Sequence, residues 1–228
     1  MINKRIVIDK IDMPQALRYL GFRDNEPEEN MKKIISKCEK ELIEKAVPSY
    51  VYKVFPIDKN CSLRGCDFEL TGNDIKNHLK NCNRAVLMCV TLSTSVDMLI
   101  KQKQVTGMTE AIIIDALASA MVEQVCDKVE EIIKDDLFDI HKENYFTWRY
   151  GLGYGDFPLD GQKQFLNVLD AGKRVGVTVN DTFMLIPTKS VTCVIGVSES
   201  DTGSGKRSCS NCNMKDVCAY RNRGTTCR

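Results

Sequence analysis

Between Arg149 and Asp156 the chain reads Arg-Tyr-Gly-Leu-Gly-Tyr-Gly-Asp. Arg149 is a fixed planar cation whose fork of N–H donors matches a carboxylate. Glycines at 151, 153 and 155 permit backbone turns and close approaches that a Cβ would block. Tyr154, set between Gly153 and Gly155, is placed to project from bare backbone. The combination suits a loop that grips a small zwitterionic ligand and turns a phenol toward something bulky. An ordinary glycine-rich connection is the competing reading. The dinucleotide fingerprint does not fit, because no clean strand leads into the loop and no helix opens directly on it.

A second set of chemically capable residues lies at the end of the chain. Cys209-x2-Cys212-x5-Cys218-x8-Cys227 offers four thiolates in a short segment. Such a donor set suits tetrahedral zinc or an iron–sulfur cluster, and the spacing does not choose between them. Lys215, Arg221 and Arg223 would offset thiolate charge in either case. A tail of reactive thiols is the alternative. The other cysteines, at 38, 61, 66, 82, 89, 126 and 193, are scattered through apolar or mixed surroundings. His78 and Cys82 lie one helical turn apart, a spacing that reads as core packing rather than as a second metal site.

Composition narrows the class. The 228 residues can bury a sizeable core, and 43% hydrophobic with 28% charged residues is the balance of a soluble globular protein. A net charge of +1 gives no electrostatic argument for nucleic acid or an anionic membrane. The first residues, MINKRIVIDKIDM, lack the apolar core of a signal peptide, and no apolar run approaches the roughly 20 residues that span a bilayer. A cytoplasmic protein is expected. Eleven cysteines in a reducing compartment point to metal or redox chemistry before disulfides.

The elements that must position these residues follow from periodicity. Residues 12–22 read as a short helix. Asp24 and Asn25 are placed to cap a second helix, from about Pro27 to Lys45, with Ile34, Ile35, Cys38, Leu42 and Ile43 on one face. Ser49–Ile57 reads as a strand, Asp74–Asn81 as a short helix with Ile75, His78 and Leu79 on one side, and Arg84–Leu92 as a buried strand. Ser95–Lys103 is helical. Thr109–Lys134 is the longest helix, with Leu117, Met121, Val125, Val129 and Ile132 as its apolar stripe. A second face carries Ala116, Ser119 and Ala120, small residues that admit a close neighbour, and Glu123 beside that gap; a solvated glutamate next to tight helix packing is the competing reading. Gly161–Lys173 reads as one helix, ending at Gly172 or Gly176. Val177–Ile186 and Ser190–Ser198 read as an antiparallel pair joined at Pro187-Thr188-Lys189. Glu199–Ser208 is a polar linker. Without regular βαβ alternation the class is α+β. The expected organisation is a domain over 1–198, a linker over 199–208 and a cysteine-rich appendage over 209–228.

Taken together, these motifs resemble a known family. Arg149-x-x-x-Gly153-Tyr154 is similar to the S-adenosylmethionine-binding signature of the activation domain of vitamin B12-dependent methionine synthase. Downstream, Asp156-x-Pro158-Leu159-x-x-Gln162, Leu169, Val175 through Thr182, and Pro187-x-Lys189-Ser190-Val191-Thr192 follow the family's order. Upstream, Leu70-x-Gly72-x-Asp74-Ile75-x-x-His78-Leu79-x-x-Cys82 and the strand ending Thr91-Leu92 resemble its smaller, free-standing members. The resemblance spans roughly residues 5–198.

The resemblance implies a single curved α+β domain, with an antiparallel sheet flanked by helices and S-adenosylmethionine in the concavity. It implies reductive methylation of cob(II)alamin, with an electron from a flavodoxin- or ferredoxin-like donor. Arg149 would hold the ligand carboxylate, Gly151, Gly153 and Gly155 would let the ligand lie against backbone, and Tyr154 would stand between ligand and corrin as the catalytic side chain. Glu123 would oppose the ammonium or sulfonium charge, and Glu143, in the run Glu143-Asn144-Tyr145-x-x-x-Arg149, is a second acidic candidate. The family also uses an acid near its N-terminus, for which Asp12 and Asp24 are both available. The Asp-x-His-x-x-Gly cobalt-ligating motif is absent, so the cobalamin is expected on a partner chain such as a methyltransferase. The need for an electron inclines the terminal cysteines toward a [4Fe–4S] cluster over zinc. A binding module that senses S-adenosylmethionine or docks a corrinoid protein without chemistry, stabilised by a structural metal, is the alternative.

Overall fold

The computed structural model describes residues 5–22, 25–138 and 143–201, together with 216 and 221. The helices are α1 (Met13–Tyr19), α2 (Glu29–Lys45), α3 (Asn73–His78), α4 (Thr94–Thr106), α5 (Met108–Asp136), α6 (Gln162–Leu169) and α7 (Ala171–Val175). The strands are β1 (Ser49–Pro56), β2 (Arg84–Thr91), β3 (Tyr145–Phe146), β4 (Thr178–Val179), β5 (Leu185–Ile186) and β6 (Ser190–Ser198). A four-stranded sheet has the order β1-β2-β6-β3, and β4 pairs with β5 separately. Backbone bonds at the strand ends set the directions. Val47 N–Leu92 O and Ile57 N–Asn83 O run β1 against β2, and Leu92 N–Lys189 O and Asn83 N–Val197 O run β2 against β6. Tyr145 faces Ser198 where β3 meets β6. The fold is α+β with an antiparallel sheet. Among the described residues no helix is long and apolar enough to cross a membrane.

The chain divides into two compact units, each assembled from separated stretches. The first comprises Met1–Tyr52, Met88–Asp136 and Gln162–Thr192, and the second Lys53–Leu87, Leu137–Gly161 and Cys193–Arg228. In the first, α1, α2 and α4 pack on α5. The 3.6-residue period places Leu117, Met121, Val125 and Val129 on its buried stripe. Leu117 and Met121 are no more than 1% exposed, and burial of such side chains stabilises by about 1.5–3 kcal/mol each. The stripe ends on Ile133 rather than on Ile132, which is half-buried, because Ile133 is the fourth residue after Val129. In the second unit Phe68, Ile75, Leu79 and Phe157 are buried, with Phe68 edge-on to Phe157.

Three further expectations are corrected. Val177–Ile186 does not pair with Ser190–Ser198. It folds back on itself as the β4–β5 hairpin, because the Asn180 carboxamide accepts hydrogen bonds from the Thr182 and Met184 amides and the Thr182 hydroxyl. β6 instead lies between β2 and β3, so both its edges are taken. Residues 161–173 do not form one helix, because Asp170 takes a left-handed φ of 54° and separates α6 from α7. The second helix starts at Glu29, with Glu28 at its N-cap and no side-chain capping bond. Asp24 lies outside the described residues.

Candidate functional site

The Arg149 loop belongs to the second unit and begins where β-pairing ends. Thr147 N donates to Gly196 O at 3.0 Å, and Tyr150 and Val194 exchange two backbone bonds of 2.9 and 2.8 Å. Arg149 lies between these anchored residues and is 7% exposed. Arg149 also has an interaction within the protein beyond these. After Leu152 the chain turns sharply. Gly153 N donates to Phe157 O at 2.8 Å, and Phe157 N to Tyr154 O at 2.9 Å. Gly153 and Gly155 take φ values of 87° and 54°, where glycine is favoured, whereas Gly151 has no positive φ. A Cβ at Gly153 would also stand 3.3 Å from Leu159 Cδ1. Only two of the three glycines are therefore required by conformation.

The turn presents Tyr154 at 51% exposure, as its place between two glycines implied. Behind it lies an aromatic cluster. Trp148 and Tyr150 have centroids 5.0 Å apart, His78 lies 4.6 and 4.9 Å from them, and Tyr150 is 6.1 Å from Tyr154. Burial, with the nearby Asp74 and Asp156 carboxylates, pushes the Tyr150 phenol up to about 12. The Tyr150 hydroxyl donates to the Tyr154 carbonyl at 3.4 Å.

The other site candidates are placed as follows. Glu143 is exposed and accepts a hydrogen bond from the Tyr145 hydroxyl at 2.8 Å. Glu123 is half-buried on α5, in the first unit. Asp12 caps α1, its carboxylate accepting from Gln15 N at 3.1 Å. Cys209, Cys212, Cys218 and Cys227 lie outside the described residues. Among the described residues no group of three or more His, Cys, Asp or Glu is arranged to hold a metal ion. His78 is 8% exposed and hydrogen-bonded, in accord with its assignment to the core.

Sequence reasoning missed the partner of Asp156. Its carboxylate accepts from the amides of Asn73 at 2.6 Å and Asp74 at 2.9 Å, at the start of α3, and Asp156 N donates back to the Asp74 carboxylate at 3.3 Å. Those amide bonds hold the Asp156 carboxyl below its usual range. Gly72 makes room for the contact. It has φ 108°, and a Cβ there would stand 2.6 Å from Asp156 Oδ1. Only the glycine directly before a helix start hints at this, and no local pattern connects residues 82 positions apart.

In the first unit a groove of about 440 Å³ is lined by Lys163, Asn167, Asp170, Lys173 and Val179 among others, and contains none of the site candidates.

Comparison with known proteins sets this geometry in a family. The fold is similar to a solved structure described as the crystal structure of the MetH reactivation domain bound to AdoHcy. The TM-score is 0.62 with 14% sequence identity, over 95% of this chain and 82% of that one. A search of curated proteins returns no match. The family profile described as vitamin B12 dependent methionine synthase, activation domain, matches residues 76–224, more than half of the chain. The profile includes the Arg149 loop, and on this match the chain belongs to the family of vitamin B12-dependent methionine synthase activation domains.

Proposed function

We propose that the protein binds S-adenosylmethionine at the Arg149 loop and supports reductive methylation of a cobalamin held by another chain. The observation that carries the reading is a buried guanidinium at the entrance to a two-glycine turn that exposes a tyrosine. Family membership and a structural neighbour bound to AdoHcy support the ligand class. In the proposed reaction one electron and the methyl group of S-adenosylmethionine pass to cob(II)alamin, giving methylcobalamin and S-adenosylhomocysteine. The electron comes from a flavodoxin- or ferredoxin-like donor.

The chain's own groups have separate tasks. Arg149 pairs bidentately with the ligand carboxylate, in surroundings that exclude water and strengthen the pairing. The backbone at Gly151 and Gly153 lets the ligand approach closely. Tyr154 is presented outward, toward the corrin. Glu123 and Glu143 remain proposed acidic contacts on the sequence argument alone. The terminal cysteines are proposed to hold a [4Fe–4S] cluster or zinc. A cytoplasmic location is part of the same proposal.

Titration by calorimetry tests the ligand assignment. A charge-assisted hydrogen bond contributes about 1.5–3 kcal/mol, so Arg149→Ala should weaken S-adenosylmethionine binding by roughly tenfold to a hundredfold. Arg149→Lys should recover only part, because the planar fork is lost. Equal affinity in wild type and Arg149→Ala would remove Arg149 from the site. Visible absorbance of a cob(II)alamin-loaded methyltransferase, with and without this protein, S-adenosylmethionine and a reductant, tests the reaction.

A further inference from the structure

We infer that α3 is a brace for the Arg149 loop, with His78 and Asp156 as its positioning residues. The inference deepens the proposed binding role and rests on it for its consequence on affinity. Its geometry lies wholly in the second unit.

The helix spans six residues, too few to be stable alone. Each end is tied to one flank of the loop. At its start the Asp156 carboxylate accepts from Asn73 N and Asp74 N, fixing the end of the turn that carries Tyr154. At its last residue His78 Nε2 lies 2.9 Å from the Trp148 carbonyl. A carbonyl cannot donate, so a hydrogen bond here takes its proton from Nε2, with His78 as the donor. The Thr147 hydroxyl lies 2.8 Å from the same nitrogen and accepts from Gly196 N at 2.8 Å. The imidazole therefore ties the residue before Arg149 to α3 and, through Thr147, to β6.

The ring contacts act in the same direction. His78 lies against both Trp148 and Tyr150, the two neighbours of Arg149 in sequence. With the peptide bonds on either side of Arg149 fixed, the guanidinium can leave its position only through its own rotamers. Fixed geometry of this kind lowers the ordering cost of binding. Three features have no evident need in a merely buried histidine: a donor aimed at the Trp148 carbonyl, contacts to both flanking rings, and the second tie at the other end of the same helix.

Trp148 is the single tryptophan of the chain, so its fluorescence reports this position. The test uses the full-length protein with His78→Ala, His78→Gln, Asp156→Ala and Asp156→Asn. Acrylamide quenching of Trp148, urea unfolding and S-adenosylmethionine affinity are measured for each. His78→Ala should raise quenching and weaken binding by about tenfold or more, as losing an outer support does at other sites. His78→Gln retains an amide donor and should lie within about threefold of wild type. Asp156→Ala should weaken binding more than Asp156→Asn, which keeps an acceptor. Folded His78→Ala with unchanged quenching and affinity, and only a lower unfolding midpoint, would overturn the proposal. So would equal effects of His78→Ala and His78→Gln. If wild type binds no S-adenosylmethionine, the binding role fails, while quenching in His78→Ala against His78→Gln still decides the brace. Should His78→Ala not fold, the Gln variant and the Asp156 pair carry the same comparison.

Discussion

Gly196 sits on β6 where the strand supports the residues leading to Arg149, and a single methyl group there should disturb them. A Cβ at this position would lie 2.5 Å from Cys82 Sγ, 2.9 Å from Leu79 Cδ2 and 3.1 Å from Thr147 Cγ2. Ordinary carbon contacts lie at about 3.5–4.0 Å. Leu79 and Thr147 are 1% and 3% exposed, so neither has open space to enter. Overpacking of this kind costs about 1–3 kcal/mol. With a urea slope of about 1–3 kcal/mol per molar, Gly196→Ala should lower the unfolding midpoint on the order of 1 M. The worst contact is with a sulfur, which identifies the compensating change. Cys82→Ala removes Sγ, so Gly196→Ala with Cys82→Ala should recover stability relative to the sum of the single effects. A coupling of about 0.5–3 kcal/mol is the range for groups in contact. Urea unfolding of wild type, both single variants and the double variant closes the cycle. An unchanged midpoint in Gly196→Ala, or strictly additive single effects, would refute the packing described around Thr147 and Cys82.

Gly72→Ala should destabilise through its backbone, since a non-glycine residue at such a φ costs about 1–3 kcal/mol; it should also push Asp156 from the start of α3, and hydrogen exchange at the Asn73 and Asp74 amides should rise. Tyr154→Ala should leave S-adenosylmethionine affinity within a few-fold, because the side chain is half exposed, but should slow methylcobalamin formation on a partner protein; normal turnover would remove Tyr154 from the reaction. Protein prepared without oxygen should be brown with close to four irons and four sulfides if the terminal cysteines hold a cubane, or colourless with about one zinc. Finding neither metal would reject both versions. Removing residues 200–228 should leave S-adenosylmethionine binding nearly intact, as calorimetry would show.

Several features were legible in the sequence because their causes are local. The stripe of α5 follows from helical period. The buried run of β2 follows from continuous apolar residues in a strand with neighbours on both sides. The turn at Gly153 and Gly155, and the exposure of Tyr154, follow from residue types within four positions. The resemblance to the activation-domain family rested on the same short motifs, and the family profile agrees.

Elsewhere a local rule gave the wrong element, and the reason lies in competing bonds. The β-rich composition of Val177–Ile186 predicted a long strand, but the Asn180 side chain draws the chain into a hairpin while β2 and β3 occupy the edges of β6. A helix was predicted through Asp170, whose short polar side chain tolerates the left-handed conformation that ends it. Composition, helical period and glycine placement thus sufficed for the α+β class and for the glycine turn that exposes Tyr154. Only the tertiary structure decided that the Asp156 carboxylate meets the first amides of α3, that the His78 imidazole meets the Trp148 carbonyl, and that Gly72 must lack a Cβ. Those contacts join residues some 70 or more positions apart. They depend on the direction in which a side chain leaves the backbone, which residue type and spacing do not encode.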